Sequence, residues 1–525
     1  MAAQFTDWQQ RSIYQLVTDR FAKTTNDGGA CDSAARQYCG GTWQGIINHL
    51  DYIQGMGFDA VGRQHSWISP AMANIEGNTT YGAAYHGYWP VNYNALNSHF
   101  GTEADLKALS DALHKRGMYL MMDIIVNHVA ATATPPALTY DQFQPFNAAT
   151  DYHPFCFIQD YQNQTQVEQC WVGDSSLPLA DINTEDSNIV STFNTWIKNL
   201  VTTYNVDGLR LDTVKHVRQD FWPDFLSSAG VFAVGEVLDD RYNYTGGYTK
   251  VMDTVFNYPE WFNLIKAFLN PQADMGLLAT SVDLTKQNFK NGAMSTVSFS
   301  ENHDNARNPS GIFDPMLIKS IMTWTFGGDG IPTLYYGQEA GYSGGNDPMN
   351  REALWFTSYS TDVTYYKFIT KLNQARKLAL ADKSAKFAST PAEVATSTSH
   401  HIALSKYPML TVLTNSGNSS ANVQWSITNS GFKSGVTLVD VLSDACETVQ
   451  VASDGSVPVT FKAGAPKVGD QSRTSFVFES FKLIRSLCIT QQVYLPTTSL
   501  NSTSVCGTKA QAGNGNNSST QDSGA

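Results

Sequence analysis

Short apolar runs alternate with amphipathic stretches along most of the first 373 residues. The apolar runs cover residues 13–17, 119–126, 208–211, 231–234, 296–299 and 331–335. Between them, stretches such as 103–116 and 188–204 carry apolar residues at helical spacing. Apolar runs without internal alternation are typical of parallel strands that are buried on both faces. The pattern therefore predicts an α/β fold, either a βα barrel or a doubly wound sheet.

Polar residues at the ends of these runs favour the barrel. They are Asp123, Asn127, His128, Arg210, Asp212, Glu236, His303 and Asp304. They lie at or just past the carboxyl ends of different predicted strands, which is where (β/α)8 barrels build their active sites. No GxGxxG follows the first run, which removes the simplest dinucleotide-binding version of a doubly wound sheet. We therefore predict a (β/α)8 TIM barrel.

The alternation is interrupted once and then ends. Residues 128–183 show aromatic clusters and little periodicity, so we predict an inserted irregular subdomain there. The barrel would then comprise residues 1–127 and 184–386. Beyond it, short strand-like runs separated by Gly, Ser and Asn predict a C-terminal antiparallel β-sandwich over residues 387–490. The polar residues 491–525 are predicted to form a disordered tail.

Composition and charge narrow the possible partners. The 525-residue chain is 42% hydrophobic and 15% charged, which is typical of a globular protein. Its formal net charge of −13 argues against nucleic acids and anionic membranes as partners. No run approaches the roughly 18 apolar residues that a membrane span needs. The 27 Phe, 24 Tyr and 11 Trp residues, with the acidic balance, suit a neutral carbohydrate partner.

The seven cysteines indicate an oxidising compartment. No CxxC motif occurs, and two close pairs, Cys31 with Cys39 and Cys156 with Cys170, are typical of loops closed by disulfides. Sequons such as the one at Asn163 fit a secreted glycoprotein. The chain opens without an apolar signal segment, so either a signal peptide has been removed or the protein is cytosolic. We favour removal and secretion.

Three carboxylates, Asp212, Glu236 and Asp304, end three separate predicted strands. Glycoside hydrolysis requires two carboxyl groups across a cleft, one to attack the anomeric carbon or activate water and one to protonate the leaving oxygen. Arg210 projects from the same strand face as Asp212, so its charge would keep that carboxylate ionised. A purely structural Arg–Asp ion pair is the alternative explanation of this spacing.

Four segments resemble, in the same order, the signature segments of the α-amylase family of glycoside hydrolases. They are DIIVNH at 123–128, GLRLDTVKH at 208–216, GEV at 235–237 and ENHDN at 301–305. Further segments are similar to the secreted fungal branch of that family, the Taka-amylase type. They are CGGTWQGI at 39–46, LDYIQGMGF at 50–58, AYHGYW at 84–89, HPFCFIQ at 153–159 and GGNDPMNREA at 344–353. The family's barrel, inserted subdomain and C-terminal β domain match the organisation expected above.

The resemblance implies endo-acting hydrolysis of internal α-1,4-glucosidic bonds in starch and malto-oligosaccharides by a secreted monomer. Asp212 matches the nucleophile, Glu236 the general acid/base and Asp304 a third carboxylate that stabilises the transition state. Arg210 matches the arginine that holds Asp212 ionised. Double displacement through a glycosyl-enzyme would retain the anomeric configuration.

The resemblance also implies the residues that bind sugar, calcium and one another. Sugar contacts before the cut match His86, Tyr88, Trp89, His128, His303, Asp347 and Arg351, and those beyond it match Tyr161, Lys215, His216 and Leu238. A calcium ion joining the inserted subdomain to the barrel would take oxygen ligands from Asn127, Glu168, Asp181 and the His216 carbonyl. The implied disulfides are Cys31–Cys39, Cys156–Cys170 and Cys446–Cys488, with Cys506 left over.

The second barrel strand departs from the family's pattern. Residues 62–66 separate Ala60-Val61 from residues 67–70, which the family runs together. We expect this insertion either to bulge out at the barrel rim or to be a sequence error such as a retained intron.

Two other functions fit the resemblance. The first is a 4-α-glucanotransferase, but some fungal relatives of that kind lack histidines that are present here as His128 and His303, which favours hydrolysis. The second, a catalytically inactive glucan-binding protein, would follow if the insertion disrupted the barrel.

Overall fold

Eight parallel strands close into a barrel, in which consecutive strands pair and the last pairs with the first. The computed structural model describes residues 4–25, 28–58, 64–418, 423–443, 447–461 and 491–496. The barrel strands are Ile13–Gln15, Gln64–Ile68, Met118–Ile124, Gly208–Leu211, Phe232–Gly235, Thr254–Phe256, Thr296–Phe299 and Ile331–Tyr335. The predicted TIM barrel is confirmed.

Helices surround the barrel and follow the predicted amphipathic stretches. The α-helices of the described chain are Phe5–Trp8, Thr18–Phe21, Trp43–Asn48, Leu50–Gly55, Glu103–Lys115, Gln164–Gln169, Ser187–Tyr204, Trp222–Ala229, Tyr242–Gly247, Tyr258–Ala267, Gly276–Asn288, Pro315–Gly327 and Thr364–Ala381. The helix predicted at 103–116 begins at a capping box formed by Thr102 and Asp105. The helix predicted at 188–204 is capped by the Asp186 side chain.

Large apolar side chains fill the barrel interior, among them Trp67, Met121, Phe256 and Phe299. The N-terminal helix Phe5–Trp8 packs against the amino-terminal end of the barrel. Trp8 is fully buried there, and a Cβ at Gly208 would lie only 2.4 Å from its ring. Glycine is therefore required where the fourth strand begins, because any larger residue would displace Trp8.

The second barrel strand is formed despite the expected interruption. Gln64–Ile68 pairs in parallel with the first strand and with Met118–Ile124. Residues 64–66 of the supposed insertion therefore belong to the strand, so the expectation of a bulge is wrong for them. Residues 59–63 lie outside the described part of the chain. Barrel closure, which needs a partner on both sides, outweighs the polar character of Gln64 and His65.

The inserted subdomain is a small three-stranded sheet with a short helix. Its strands are His128–Ala130, Val172–Asp174 and Leu177–Asp181, and the helix is Gln164–Gln169. The Cys156–Cys170 disulfide closes this segment, and Cys31–Cys39 closes a loop after the first barrel strand. Both predicted pairs are present. The proposed partners Cys446 and Cys488 lie outside the described residues, as does Cys506.

The C-terminal region consists of two antiparallel sheets that share an apolar core. The larger sheet contains Glu393–Ser397, His401–Lys406, Met409–Thr414, Gln491–Pro496, Thr437–Asp440 and Thr448–Gln450, and the smaller contains Val423–Ile427 and Val457–Phe461. Gln491–Pro496 pairs with strands on both sides, so these six residues of the predicted tail belong to the larger sheet. Across the described residues, no helix is long and apolar enough to span a membrane.

Candidate active site

The carboxyl ends of the barrel strands bring three carboxylates onto one buried guanidinium, that of Arg210. Arg210 Nη1 lies 2.6 Å from Asp212 Oδ1 and 3.0 Å from Asp123 Oδ1, and Nη2 lies 3.0 Å from Glu236 Oε2. The strand register explains the arrangement, because Arg210 pairs with Asp123 on one side and with Val234, two residues before Glu236, on the other. One cation thus compensates several negative charges that would otherwise repel each other in a buried site.

Asp123 is held in turn by two aromatic side chains that reach into the barrel mouth. Tyr88 Oη donates to Asp123 Oδ2 at 2.6 Å, and Trp67 Nε1 donates to the same oxygen at 2.9 Å. Burial raises the pKa of Asp123 to about 7, while the neighbouring Arg210 charge lowers it. The sequence places Asp123 at a strand end but gives no sign of this role, because both donors come from distant segments.

Glu236 occupies a setting suited to a carboxyl group that holds a proton. Its Oε2 accepts a hydrogen bond from the backbone N–H of Thr213 at 3.0 Å, and Tyr258 Oη donates to Oε1 at 3.5 Å. Burial raises the pKa of Glu236, and the Arg210 charge opposes part of that rise. Thr213, which has a left-handed backbone with φ of 49°, also donates from Oγ1 to Asp212 Oδ2 at 3.1 Å. The turn after the fourth strand therefore orients both carboxylates.

Asp304 lies after the seventh strand and faces Asp212 and Glu236. Its Oδ1 is 3.6 Å from Arg351 Nη2, and its Oδ2 is 3.4 Å from His303 Nε2. Burial in the cleft, followed by the charge of Glu236, raises the pKa of Asp304 to about 7, and Arg351 lowers it. About a third of the Asp304 side chain remains exposed, so it can reach a ligand in the cleft.

The two motif histidines are buried and neutral. Burial lowers the pKa of His128 to about 4 and that of His303 well below its ordinary value. His128 Nε2 lies 3.1 Å from the Tyr88 carbonyl oxygen, and the rings of Tyr88 and His303 stack with centroids 5.0 Å apart. Neutral imidazoles beside an aromatic face can bind hydroxyl groups without adding charge.

The remaining predicted sugar contacts divide between two sides of the cleft. On one side, Arg351 Nη1 is 2.8 Å from Asp347 Oδ1, and Arg351 Nε donates to the His303 carbonyl at 3.0 Å. His86 Nδ1 accepts from the Tyr88 backbone N–H, and the rings of His86 and Trp89 meet edge to face.

On the other side, Lys215 Nζ donates to the Leu238 carbonyl at 2.7 Å and lies 5.6 Å from the Tyr161 ring. The Tyr161 ring also packs edge-on against His216. Tyr161 and Leu238 are 53% and 40% exposed, so their apolar surfaces are open to a ligand. The structure thus brings together the residues predicted for each side of the cleft.

Three of the four residues predicted to bind calcium converge beside the cleft. One terminal atom of the Asn127 amide lies 2.9 Å from Asp181 Oδ1 and 3.0 Å from the His216 carbonyl oxygen. As nitrogen it would donate to both, and as oxygen it would complete a set of three oxygens, which is the donor chemistry that calcium prefers. The residues therefore fit a hard cation. No cluster of three His, Cys, Asp or Glu side chains suited to a metal occurs in the described chain. The set around Asn127 is not such a cluster, because it combines one carboxylate with an amide and a backbone carbonyl.

Glu168, the fourth predicted ligand, is tied to the same region through Gln164. Gln164 Nε2 donates to Glu168 Oε1 at 2.7 Å and to the Lys215 carbonyl at 3.1 Å. The helix of the inserted subdomain is thereby fastened to the loop that carries His216, whose Nδ1 lies 3.1 Å from the Val167 carbonyl oxygen.

Comparison with known proteins identifies relatives over nearly the whole chain. The α-amylase catalytic-domain family matches residues 15–452. An α-amylase of Saccharomycopsis fibuligera is 43% identical over 462 residues, which cover 88% of this chain and 91% of the relative. Alpha-amylase 2 of Schwanniomyces occidentalis is 44% identical over 467 residues, with coverages of 88% and 90%. The structure of an α-amylase from Malbranchea cinnamomea superposes with a TM-score of 0.86 at 40% identity, covering 95% of this chain and 98% of its own.

Proposed function

The chain belongs to the α-amylase family of glycoside hydrolases, and from that premise we propose how its own residues carry out the reaction. The protein is an α-amylase, an enzyme that hydrolyses internal α-1,4-glucosidic bonds in starch. The observation that carries the assignment of roles is the shared contact of Asp212 and Glu236 with Arg210. It places two carboxyl groups with different surroundings in one cleft, as glycoside hydrolysis requires.

Asp212 is the nucleophile in this proposal. Its carboxylate attacks the anomeric carbon, and the bond from that carbon to the leaving oxygen breaks as the glycosyl–carboxylate bond forms. The salt bridge to Arg210 and the hydrogen bond from the Thr213 hydroxyl hold the Asp212 carboxylate in position. Water then displaces Asp212 from the opposite face, so the product keeps the α configuration.

Glu236 supplies and then removes the proton. Because burial raises the pKa of Glu236, its carboxyl can hold a proton for the leaving oxygen. It gives that proton to the leaving oxygen in the first step and takes one from the attacking water in the second. Asp304, with the neutral His128 and His303, would bind the hydroxyls of the sugar that reacts and stabilise its distorted form.

We further propose that the oxygen cluster of Asn127, Asp181 and the His216 carbonyl binds calcium, with Glu168 completing the set. The ion would supply positive charge that cross-links the inserted subdomain and the barrel. His216 directly follows Lys215 on the cleft side of this contact, so the cluster also fixes the loop beyond the cut.

The substrates proposed are starch and malto-oligosaccharides, on which the protein acts as a secreted monomer. The two disulfides support an oxidising compartment. Transfer to a second sugar, the alternative reaction, would yield products longer than the substrate. Product analysis on maltopentaose therefore distinguishes hydrolysis from transfer. We expect only products shorter than maltopentaose, as hydrolysis requires.

The assignment of roles is tested with Asp212→Asn and Glu236→Gln, compared with Asp220→Asn at an exposed carboxylate. We expect about a thousandfold or greater loss of activity on starch in the first two variants and little change in the third. Wild-type activity in either of the first two would refute the roles, and release of β-configured reducing ends would refute double displacement.

A further inference from the structure

A sizeable cavity lies outside the active site, on the outer face of the barrel. It is a groove of about 470 Å³ between the helix Ser187–Tyr204 and the strand Pro90–Leu96. Its floor contains Met72 and Tyr93, both buried. We name it the helix groove. The reaction proposed above makes no use of it.

Two parallel rows of side chains line the helix groove. Ser191, Thr195, Asn199 and Thr203 recur at every fourth position and form an outer row of hydroxyl and amide groups. One residue further on, Thr192, Trp196, Leu200 and Tyr204 form an inner row that includes two aromatic rings. The outer row spans about 18 Å along the helix axis. A ligand lying along the groove would therefore meet polar groups on one edge and apolar faces beneath.

Charge excludes several classes of ligand. None of the 14 residues that line the groove is charged, although the chain carries 34 basic and 47 acidic residues. An ionic ligand would thus lose hydration without gaining a partner. The side chains of Asn94, Ser191 and Asn199 make no hydrogen bond to other described residues, so their polar atoms are free to bind hydroxyl groups. A neutral, polyhydroxylated ligand with apolar ring faces fits this lining.

The helix groove and the cleft share a wall. Trp196 Nε1 donates to the Tyr93 carbonyl at 2.8 Å, and Tyr93 Oη donates to the carbonyl of His128 at 2.9 Å. The strand Pro90–Leu96 starts immediately after Trp89 of the predicted sugar-binding loop and covers about 23 Å to its far end. A polymer held in the groove is therefore close enough for another part of the same molecule to enter the cleft.

We propose that the helix groove is a second glucan-binding site, which holds a segment of polymeric substrate outside the cleft. This inference rests on the starch-hydrolysing activity. Occupation of both sites by one polymer raises the effective concentration of the chain at the cleft. The gain applies to long or insoluble glucans and not to oligosaccharides that fill the cleft alone.

The test places an arginine across the groove in Thr195→Arg and compares it with Thr280→Arg. Both threonines are exposed, lie within helices and donate from Oγ1 to the carbonyl four residues earlier, so the two substitutions perturb their helices alike. We expect Thr195→Arg to lower adsorption to insoluble starch and activity on it by about fivefold, with unchanged kcat/KM for maltopentaose. Thr280→Arg should leave all three values unchanged.

Two results would overturn the proposal. One is full adsorption and activity of Thr195→Arg on insoluble starch, and the other is an equal loss on maltopentaose, which would mean that the cleft itself is disturbed. The double variant Asn94→Ala, Asn199→Ala removes polar partners without filling the groove and should weaken adsorption in the same direction. Absence of maltopentaose hydrolysis by the wild-type protein would instead refute the proposed function, so the two failures are distinguishable.

Discussion

Gln15 and His303 are 288 residues apart, yet Gln15 Nε2 lies 2.7 Å from His303 Nδ1 inside the barrel. Both side chains are buried. His303 is neutral, and its Nε2 faces Asp304 Oδ2 at 3.4 Å, so Nε2 carries the proton and Nδ1 accepts from the Gln15 amide. Gln15 thus sets the tautomer of the histidine beside the third carboxylate.

Gln15→Leu removes the donor that selects this tautomer. We expect kcat/KM for starch to fall about tenfold, because His303 then presents an unprotonated Nε2 to Asp304 and to sugar hydroxyls. Gln15→Glu places a carboxylate on Nδ1, which raises the pKa of His303 and lets both nitrogens carry protons. The activity of Gln15→Glu should exceed that of Gln15→Leu at low pH and should decline as pH rises.

Thr333→Val, at a buried hydroxyl of the adjoining strand, serves as the control for a change in the barrel core. If Gln15→Leu and Gln15→Glu shared one pH profile with the wild type, Gln15 would only fill space and would not select the tautomer of His303.

Sequence reasoning placed three carboxylates at the strand ends but did not find the contacts across the barrel. Asp212, Glu236 and Asp304 follow apolar runs, and that local pattern was enough to place them. Gln15 lies within the first apolar run, its partner His303 follows the seventh strand, and only barrel closure makes them neighbours. A contact between distant segments leaves no periodic signal in one sequence.

Two barrel strands are absent from the pattern of apolar runs for a related reason. Thr254–Phe256 contains only three residues, and Gln64–Ile68 begins with polar residues, so neither forms a clear apolar run. Each has a parallel partner on both sides, and those hydrogen bonds define it as a strand. The helix groove was also missed as a site, because its polar row resembles an ordinary solvated helix face.

The pH dependence of the reaction should follow the protonation of Glu236. Because burial raises the pKa of Glu236, the proposed general acid, kcat/KM should fall on the alkaline side as this residue loses its proton. The Arg210 charge lowers that pKa, so Arg210→Gln should move the alkaline limb to higher pH while reducing the maximum rate. Arg116→Gln, at a half-buried surface arginine, should leave the profile in place. A limb that stays fixed in Arg210→Gln would show that another group governs it.

Removal of calcium should weaken both stability and activity. We expect a chelator to lower the melting temperature, because a bound ligand at a hundredfold excess over its Kd stabilises the folded state by about 2.7 kcal/mol. Asp181→Asn should lose most of this calcium response, whereas Asp174→Asn, an exposed carboxylate of the same subdomain, should retain it. The measurement is the melting temperature of each variant with and without added calcium. A wild-type protein whose melting temperature does not respond to the chelator would contradict the proposed site.

Glu339 provides a stability test that is independent of catalysis. Its Oε1 accepts hydrogen bonds from Tyr14 Oη at 2.7 Å and Tyr52 Oη at 3.1 Å, and its Oε2 is buried without a partner among the described residues. Burial raises the pKa of Glu339, so the folded state favours the protonated form. The contribution of Glu339 to the free energy of unfolding is then fully present below the ordinary glutamate pKa and is lost as pH rises through the higher pKa of the folded state. The loss is about 1.4 kcal/mol for each pH unit that separates the unfolded-state pKa from the folded-state pKa.

Glu339→Gln keeps the acceptor for both tyrosines and cannot ionise. Its free energy of unfolding in urea should therefore exceed that of the wild type at pH 8 and approach it at about pH 3, where the wild-type carboxyl is protonated in both states. Glu76→Gln, at an exposed carboxylate, should show no such divergence. A constant difference between Glu339→Gln and the wild type across this range would mean that Glu339 does not gain a proton on folding.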